Sequence, residues 1–144
     1  MIEVRPLTPE ELEVADRDLP LHRLDQPGGE YLVAWEDGAP VGHAHLDWRH
    51  DPPELQDVFV LDSHRRRGIG AHLSAAAEER VLERGFDRIA LDVDVENAAA
   101  RALYEKLGYR ERGTPPRRQA GTILLRGEPF SFDVMMLDLA KEIG

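Results

Sequence analysis

The sequence predicts a mixed α/β domain, a sheet of several strands with helices packed on it. Three observations carry this. Short apolar runs bounded by Gly, Pro and Asp recur along the chain and read as strands. Two segments, Ile69 to Arg84 and Asn97 to Leu107, space their apolar residues at helical intervals instead. The resulting order is strand, helix, several strands, helix, strand, helix, strands, with neither a repeat nor a linker. The 144 residues therefore form a single domain, 1–144. A chain of this size buries roughly 70% of the surface its unfolded form exposes.

Taken in order, Ile2 to Arg5 is a short opening strand. Thr8-Pro9-Glu10-Glu11 starts a helix, with a capping hydroxyl, a proline at the first position and acids in the first turn. That helix runs towards Asp18, ahead of Pro20. Gln26-Pro27-Gly28-Gly29 is a loop. Tyr31 to Trp35 and Val41 to Trp48 are strands, and Asp37-Gly38 between them marks a hairpin. Asp51-Pro52-Pro53 breaks the pattern before a fourth strand, Leu55 to Leu61. In the next helix Ile69, Leu73, Ala76, Ala77 and Val81 form the apolar stripe, and Gly85 ends it. Ile89, Leu91, Val93 and Val95 alternate with Ala90, Asp92 and Asp94, giving a fifth strand. Asn97 caps a helix with inner face Ala99, Leu103 and Leu107, stopped by Gly108. Tyr109 to Arg112 starts another strand. Gly113 to Glu128 reads as a long loop, with a strand only at Thr122 to Leu125. Phe132 to Leu139 is the last strand.

Composition narrows the function. The net charge of -10 argues against general nucleic-acid binding, which needs a basic face. There is no cysteine, so disulfides, thiolate catalysis and cysteine metal sites are excluded. The N-terminus lacks the apolar core of a signal peptide, and no apolar run approaches the ~20 residues of a membrane span. A cytoplasmic enzyme or binding domain is expected. His43 and His45 alternate on one strand face, with His50 close by. No carboxylate–histidine set completes a metal site around them, so no metal is expected; they read as surface, with a strand face looking into the acceptor cleft as the alternative. Trp35 and Trp48 read as core or cleft wall. Arg110, Arg112, Arg117, Arg118 and Arg126 form a basic cluster that either grips an anion or is a solvated loop.

The most informative stretch is Arg65-Arg66-Arg67-Gly68-Ile69-Gly70, at a strand-to-helix turn. Glycines let the backbone approach a ligand closely. The free N–H groups of the helix's first turn then face an anion, with the helix dipole behind them. His64 and His72 flank the turn. A dinucleotide fingerprint fails because Leu73 stands at the third glycine position, and no Gly-Lys-Ser/Thr loop occurs.

Arg65-x-x-Gly68-x-Gly70 between a strand and an amphipathic helix resembles the acyl-CoA signature of the GNAT superfamily of N-acetyltransferases. The resemblance continues downstream. Asn97 followed by Ala100-Arg101-Ala102-Leu103-Tyr104-Glu105-Lys106-Leu107-Gly108-Tyr109 is similar to the family's second motif. The match is strong over Glu54 to Arg112 and rests on element order elsewhere.

The resemblance implies a mixed, mostly antiparallel sheet with helices on both faces and splayed fourth and fifth strands. It implies acetyl-CoA as co-substrate. Val60 would bind the pantetheine arm through its main chain. Arg65, Arg67, Gly68, Gly70 and Ala71 would offer N–H groups to the pyrophosphate, and Arg66 or Arg67 would reach the outer phosphates. Asn97 would meet the pantetheine arm as well as capping its helix. Tyr104 would be the general acid for the departing thiolate. Glu54 would be the base, or the proton would leave through a water relay as in many relatives; Glu54 shares a strand face with Gln56, Val58 and Val60, with Asp57 on the opposite face if the strand is regular. Asp92 and Asp94 are a second option, as acceptor-pocket wall or base. The reaction would be direct attack of an amine, small-molecule or peptide, with main-chain N–H groups near Val60 holding the oxyanion. A non-catalytic acyl-CoA sensor is the alternative. A homodimer is a family-level expectation.

Overall fold

The computed structural model describes residues 1–125 and 127–144. Eight strands form one sheet: β1 (Ile2–Pro6), β2 (Gly29–Glu36), β3 (Ala39–Asp47), β4 (Glu54–Val60), β5 (Arg88–Asp94), β6 (Arg110–Glu111), β7 (Arg117–Leu125) and β8 (Glu128–Glu142). Their order is β1-β2-β3-β4-β5-β8-β6, with β7 also paired to β8. Among the described residues three α-helices accompany them: α1 (Leu12–Asp18), α2 (Ile69–Glu83) and α3 (Ala98–Lys106). All pairings are antiparallel except β4 with β5. Among the described residues no helix is long and apolar enough to cross a membrane.

The alternation of β2 shows why the sheet is covered on both sides. Leu32 and Ala34 join a core with Ile69, Leu73, Ala77 and Val81 of α2. Tyr31, Val33 and Trp35 join a second core with Ala15 of α1 and Leu19 just after it. β3 lies between these layers, and from Pro40 to Asp47 it is buried. His43 and His45 are therefore core residues, not surface. The expectation of helices on both faces already implied this, since a central strand then has no wet side. Gly42 is the point of closest approach. A Cβ there would lie 2.7 Å from the Phe59 carbonyl oxygen.

The parallel β4–β5 ladder is short. Only Glu54↔Ala90 and Leu55↔Leu91 pair, whereas β5 and β8 pair over seven residues, Arg88↔Glu142 to Asp94↔Met136. Beyond Leu55 the two strands diverge and leave a gap, the splay expected above.

Two expectations are corrected. Arg117–Leu125 is a continuous strand paired with β8, not a loop, and β8 runs from Glu128 to Glu142, not Phe132 to Leu139. Ion pairs from Arg117 and Arg118 to Asp138 and Asp133 offset the poor strand propensity of this arginine- and glycine-bearing segment. Arg126, counted in the basic cluster, lies outside the described residues. On α3 and its C-cap the half-buried stripe is Ala100, Tyr104 and Leu107, while Ala99 and Leu103 are exposed. Leu103 was expected inside because it is apolar. Its actual neighbour is a cleft.

Candidate active site

The β4 strand is irregular at the residue that matters most. His43 pairs with Phe59 and His45 with Gln56, so Asp57 and Val58 together oppose Ala44. This is a β-bulge, and Asp57 takes a left-handed φ of 57° that non-glycine residues rarely adopt. The bulge flips the alternation. Leu55, Val58 and Val60 pack with the α2 core, and Phe59 with the α1 core. Asp57 thus turns towards the side where Gln56 bonds His45 and Gln26, rather than away from it.

Two clefts of similar size meet along this strand. The first, about 430 Å³, is lined by Val58, Phe59, Val60, Arg65, Arg66, Gly68, Gly70, Ala71, Ala100, Leu103 and Tyr104, with His64 and Ile69. Gly68 has φ 80° and precedes α2 without a side-chain cap, and the first turn holds no acid. An added Cβ at Gly68 or Gly70 meets nothing within 4 Å among the described residues. Free N–H groups, open backbone and nearby arginines suit a diphosphate. Arg65 donates from Nε to the Val60 carbonyl at 3.1 Å and pairs with Asp62. Arg66 takes a left-handed φ of 64° beside the cleft. The Arg67 guanidinium is held by Glu36, so of the three arginines only Arg65 and Arg66 line this cleft.

The second cleft, about 440 Å³, is lined by Glu54, Gln56, Asp57, Asp92, Asp94, Asn97, Tyr104, Arg23, Gln119 and Met136, with apolar walls from β4, β5 and α3. Its field is acidic: four carboxylates against one arginine. Asn97 accepts from the Ala100 N–H at 3.0 Å and so caps α3, and it faces this cleft rather than the first. Glu54 accepts from Gln56 Nε2 at 3.0 Å.

Asp92 sits across from Asp138 on β8. Arg117 donates to both carboxylates. Burial, the Asp138 hydrogen bond and the Glu54 charge raise Asp92 to about 6, against the pull of Arg117. Asp138 moves the other way, below the usual carboxylate range, chiefly through its hydrogen bond with Asp92. Burial also raises Asp57, although His22 and Arg23 oppose it. Tyr31 donates to Asp57 at 3.3 Å and accepts from the His22 and Arg23 main-chain N–H groups. This ties the segment after α1 to the bulge. His43 lies 3.8 Å from Asp57, and burial lowers it to about 4, so it is neutral.

Tyr104 lines both clefts, as do Val58 and Ala100. Its ring meets Tyr109 edge-on at 5.6 Å, and burial raises its hydroxyl to about 12. The family resemblance put Glu54, Asp92, Asp94 and Tyr104 within reach of this region. It missed Gln119, Met136 and the Arg117 clamp on Asp92, which strand pairing brings together, and Arg23, which the segment after α1 delivers. His43 and His45 on β3 beside Asp57 on β4 were the one available hint of the Asp57 network.

A sheet split between two parallel strands, with a glycine turn on one side and carboxylates on the other, is the architecture of GNAT-type acyltransferases. The chain belongs to this family: the model described as "Acetyltransferase (GNAT) family" matches residues 2–109. The type 1 aminoglycoside N(6')-acetyltransferase of Salmonella typhimurium is 31% identical over 89 residues, covering 56% of this chain and 61% of that protein. The chain thus spans about three-fifths of that relative. Among solved structures, a GNAT family acetyltransferase from Elizabethkingia anophelis with acetyl-CoA bound superposes with a TM-score of 0.74 at 20% identity, covering 99% of this chain and 98% of the other. The ribosomal-protein-S18-alanine N-acetyltransferase of Escherichia coli gives 0.73 at 22% identity, covering 100% and 95%.

Proposed function

We propose that this protein transfers an acetyl group from acetyl-CoA to a primary amine by direct attack. The observation that carries this is Tyr104 at the junction of an anion-suited cleft and an acidic one, beside the gap between β4 and β5. The uncapped start of α2, Gly68, Gly70, Ala71, Arg65 and Arg66 would hold the diphosphate, with the Arg67 main chain contributing at the turn. Val60 and its neighbours, free of β5, offer main-chain groups to the pantetheine arm. Acetyl-CoA supplies the activated acyl group.

The acidic cleft holds an ammonium group and must then accept its proton. Raising a carboxylate from 3.8 to about 6 makes that transfer easier by about 3 kcal/mol. This favours Asp92 as the base, with Glu54 raising its affinity for the proton and standing as the second candidate. Tyr104 is protonated at neutral pH and can donate to the departing thiolate. Complete transfer from a phenol at about 12 to an ordinary thiol of about 8.5 costs roughly 5 kcal/mol. The phenol therefore works as a strong hydrogen-bond donor, and the proton shed by the acceptor nitrogen balances the cycle. No cysteine is present to carry an acyl-enzyme.

The test is release of free CoA over a panel of primary amines. Turnover with at least one amine supports transfer. Tight CoA binding with no turnover on any amine favours the sensor.

A further inference from the structure

A third cleft lies on the α1 side of the sheet, next to the acidic one. It encloses about 300 Å³ between the start of α1, the segment after α1 and the β2–β3 pair. Arg23 lines both clefts. Elsewhere a single layer of side chains divides them. Gln56 faces the acidic cleft, His45 faces the third, and the two are hydrogen-bonded at 3.1 Å.

His45 is 1% exposed, yet its Nε2 has no hydrogen-bond partner among the described residues. The tautomer follows from its neighbours. The Glu54 carboxylate can only accept, so it fixes the Gln56 amide with Nε2 towards it at 3.0 Å. Gln56 Oε1 then faces His45, whose Nδ1 donates to it. His45 Nε2 therefore carries a lone pair and accepts. Burial, before any other cause, lowers His45 below the usual histidine range, so the ring is neutral at pH 7. Gly29 lines the cleft beside it. A Cβ there would overlap the imidazole, so glycine keeps this edge of the ring open. A nearly buried acceptor without a partner costs free energy until a donor reaches it.

The rest of the cleft is apolar and has no free negative charge among the described residues. Leu7, Leu12, Leu24 and Tyr31 line it. Glu30 lines it too, but its carboxylate is bonded to Arg80 and Trp48. The cation present is Arg23, whose Nε is buried without a partner. An ammonium group entering here would meet that arginine with no carboxylate to offset it.

Resting on the acetyl-transfer reading above, we propose that this cleft takes the tail of the acceptor, a monoamine. Its reacting amine sits in the acidic cleft. Its apolar tail passes Arg23 and ends in a neutral hydroxyl or amide N–H that donates to His45 Nε2. A polyamine is the class this cleft disfavours. A site built around a buried acceptor rejects a tail that lacks the donor, because the acceptor is then left unpaired.

Three series of primary amines with tails of increasing length test this: n-alkylamines, ω-amino alcohols and α,ω-diamines. Calorimetric titration in the presence of CoA reads binding, and CoA release from acetyl-CoA reads turnover. At the best tail length the amino alcohol should bind about 2–10-fold more tightly than the alkylamine, the worth of one hydrogen bond. The diamine should bind more weakly than either. His45→Phe should erase the amino-alcohol advantage. Because His45 is buried, a second variant avoids the core: Leu24 is 42% exposed, and Leu24→Glu should reverse the order in favour of the diamine. Binding that ignores the tail, or a wild type that prefers diamines, overturns the proposal. So does a Leu24→Glu variant that keeps the wild-type order. Tail-dependent binding without turnover on any amine supports the cleft assignment and overturns acetyl transfer instead.

Discussion

Replacing Asp92 with asparagine keeps the shape of the side chain and removes its charge. The carboxyl sits at about 6 in the folded protein against 3.8 for an unperturbed group. Between these values the folded state holds a proton that the unfolded chain has released. Stability from this group is therefore fully present below about pH 3.8 and is lost as pH rises through about 6. The full shift corresponds to about 3 kcal/mol. Asp92 and Asp138 titrate as a pair, and the lowered Asp138 offsets part of this. A net cost of about 1–2 kcal/mol at neutral pH is the working figure. Asp92→Asn should relieve it, raising the melting temperature by roughly 2–8 °C at pH 7.5 and by little at pH 4. Activity should move oppositely. In the wild type kcat/KM for an amine should fall below an apparent pKa near 6. In Asp92→Asn that limb should vanish and kcat should drop by about 10²-fold or more. Calorimetry at two pH values and a pH–rate profile read both effects. An acidic limb near pH 6 that persists in the asparagine variant refutes the base assignment, and a variant less stable at pH 7.5 refutes the electrostatic account.

Tyr104→Phe, which removes one positioned hydrogen-bond donor, should lower kcat by about 10²–10³-fold and leave the dissociation constant for CoA within about twofold, checked by steady-state kinetics and calorimetric titration. Gly70→Asp is a cleaner block than a change at Gly68, whose φ of 80° would strain any side chain. It should abolish CoA binding by titration while melting within about 1 kcal/mol of wild type. His43, lowered to about 4 by burial, contributes stability that is full above about pH 6.5 and lost as pH falls towards 4. His43→Gln should flatten the pH dependence of the melting temperature across that window. Leu73→Ala, in the fully buried α2 stripe, should cost about 2–5 kcal/mol in chemical denaturation.

The parts of this molecule that were legible in the sequence are those set by local chemistry. Glycines at a strand-to-helix turn, an asparagine cap and helical spacing in α2 act over a few residues, and each stands where it was expected. What stayed hidden depends on pairing between distant strands. The bulge at Asp57 exists because two residues of β4 face one of β3, a mismatch invisible in either strand alone. Leu103 faces a cleft and not the core, because apolarity marks a residue as buried without saying whether protein or ligand buries it. β7 was obscured by arginines whose partners, Asp92, Asp133 and Asp138, lie 15 to 25 residues away. The position of Arg117 between two acids came from the same cross-strand register.

The shortness of the β4–β5 ladder has a mechanical side. β1 to β4 form one half-sheet, and β5 to β8 the other. Along the strands the halves are riveted at two residue pairs, with one further hydrogen bond from Ala90 to Pro53. Relative motion of the halves concentrates at that rivet, and the gap beyond it widens or narrows as they pivot. Whatever fills the gap couples the halves and stiffens the pivot. Amide hydrogen exchange in Gln56–Val60 and Asp92–Asp94 should therefore report how firmly a donor bridges the seam.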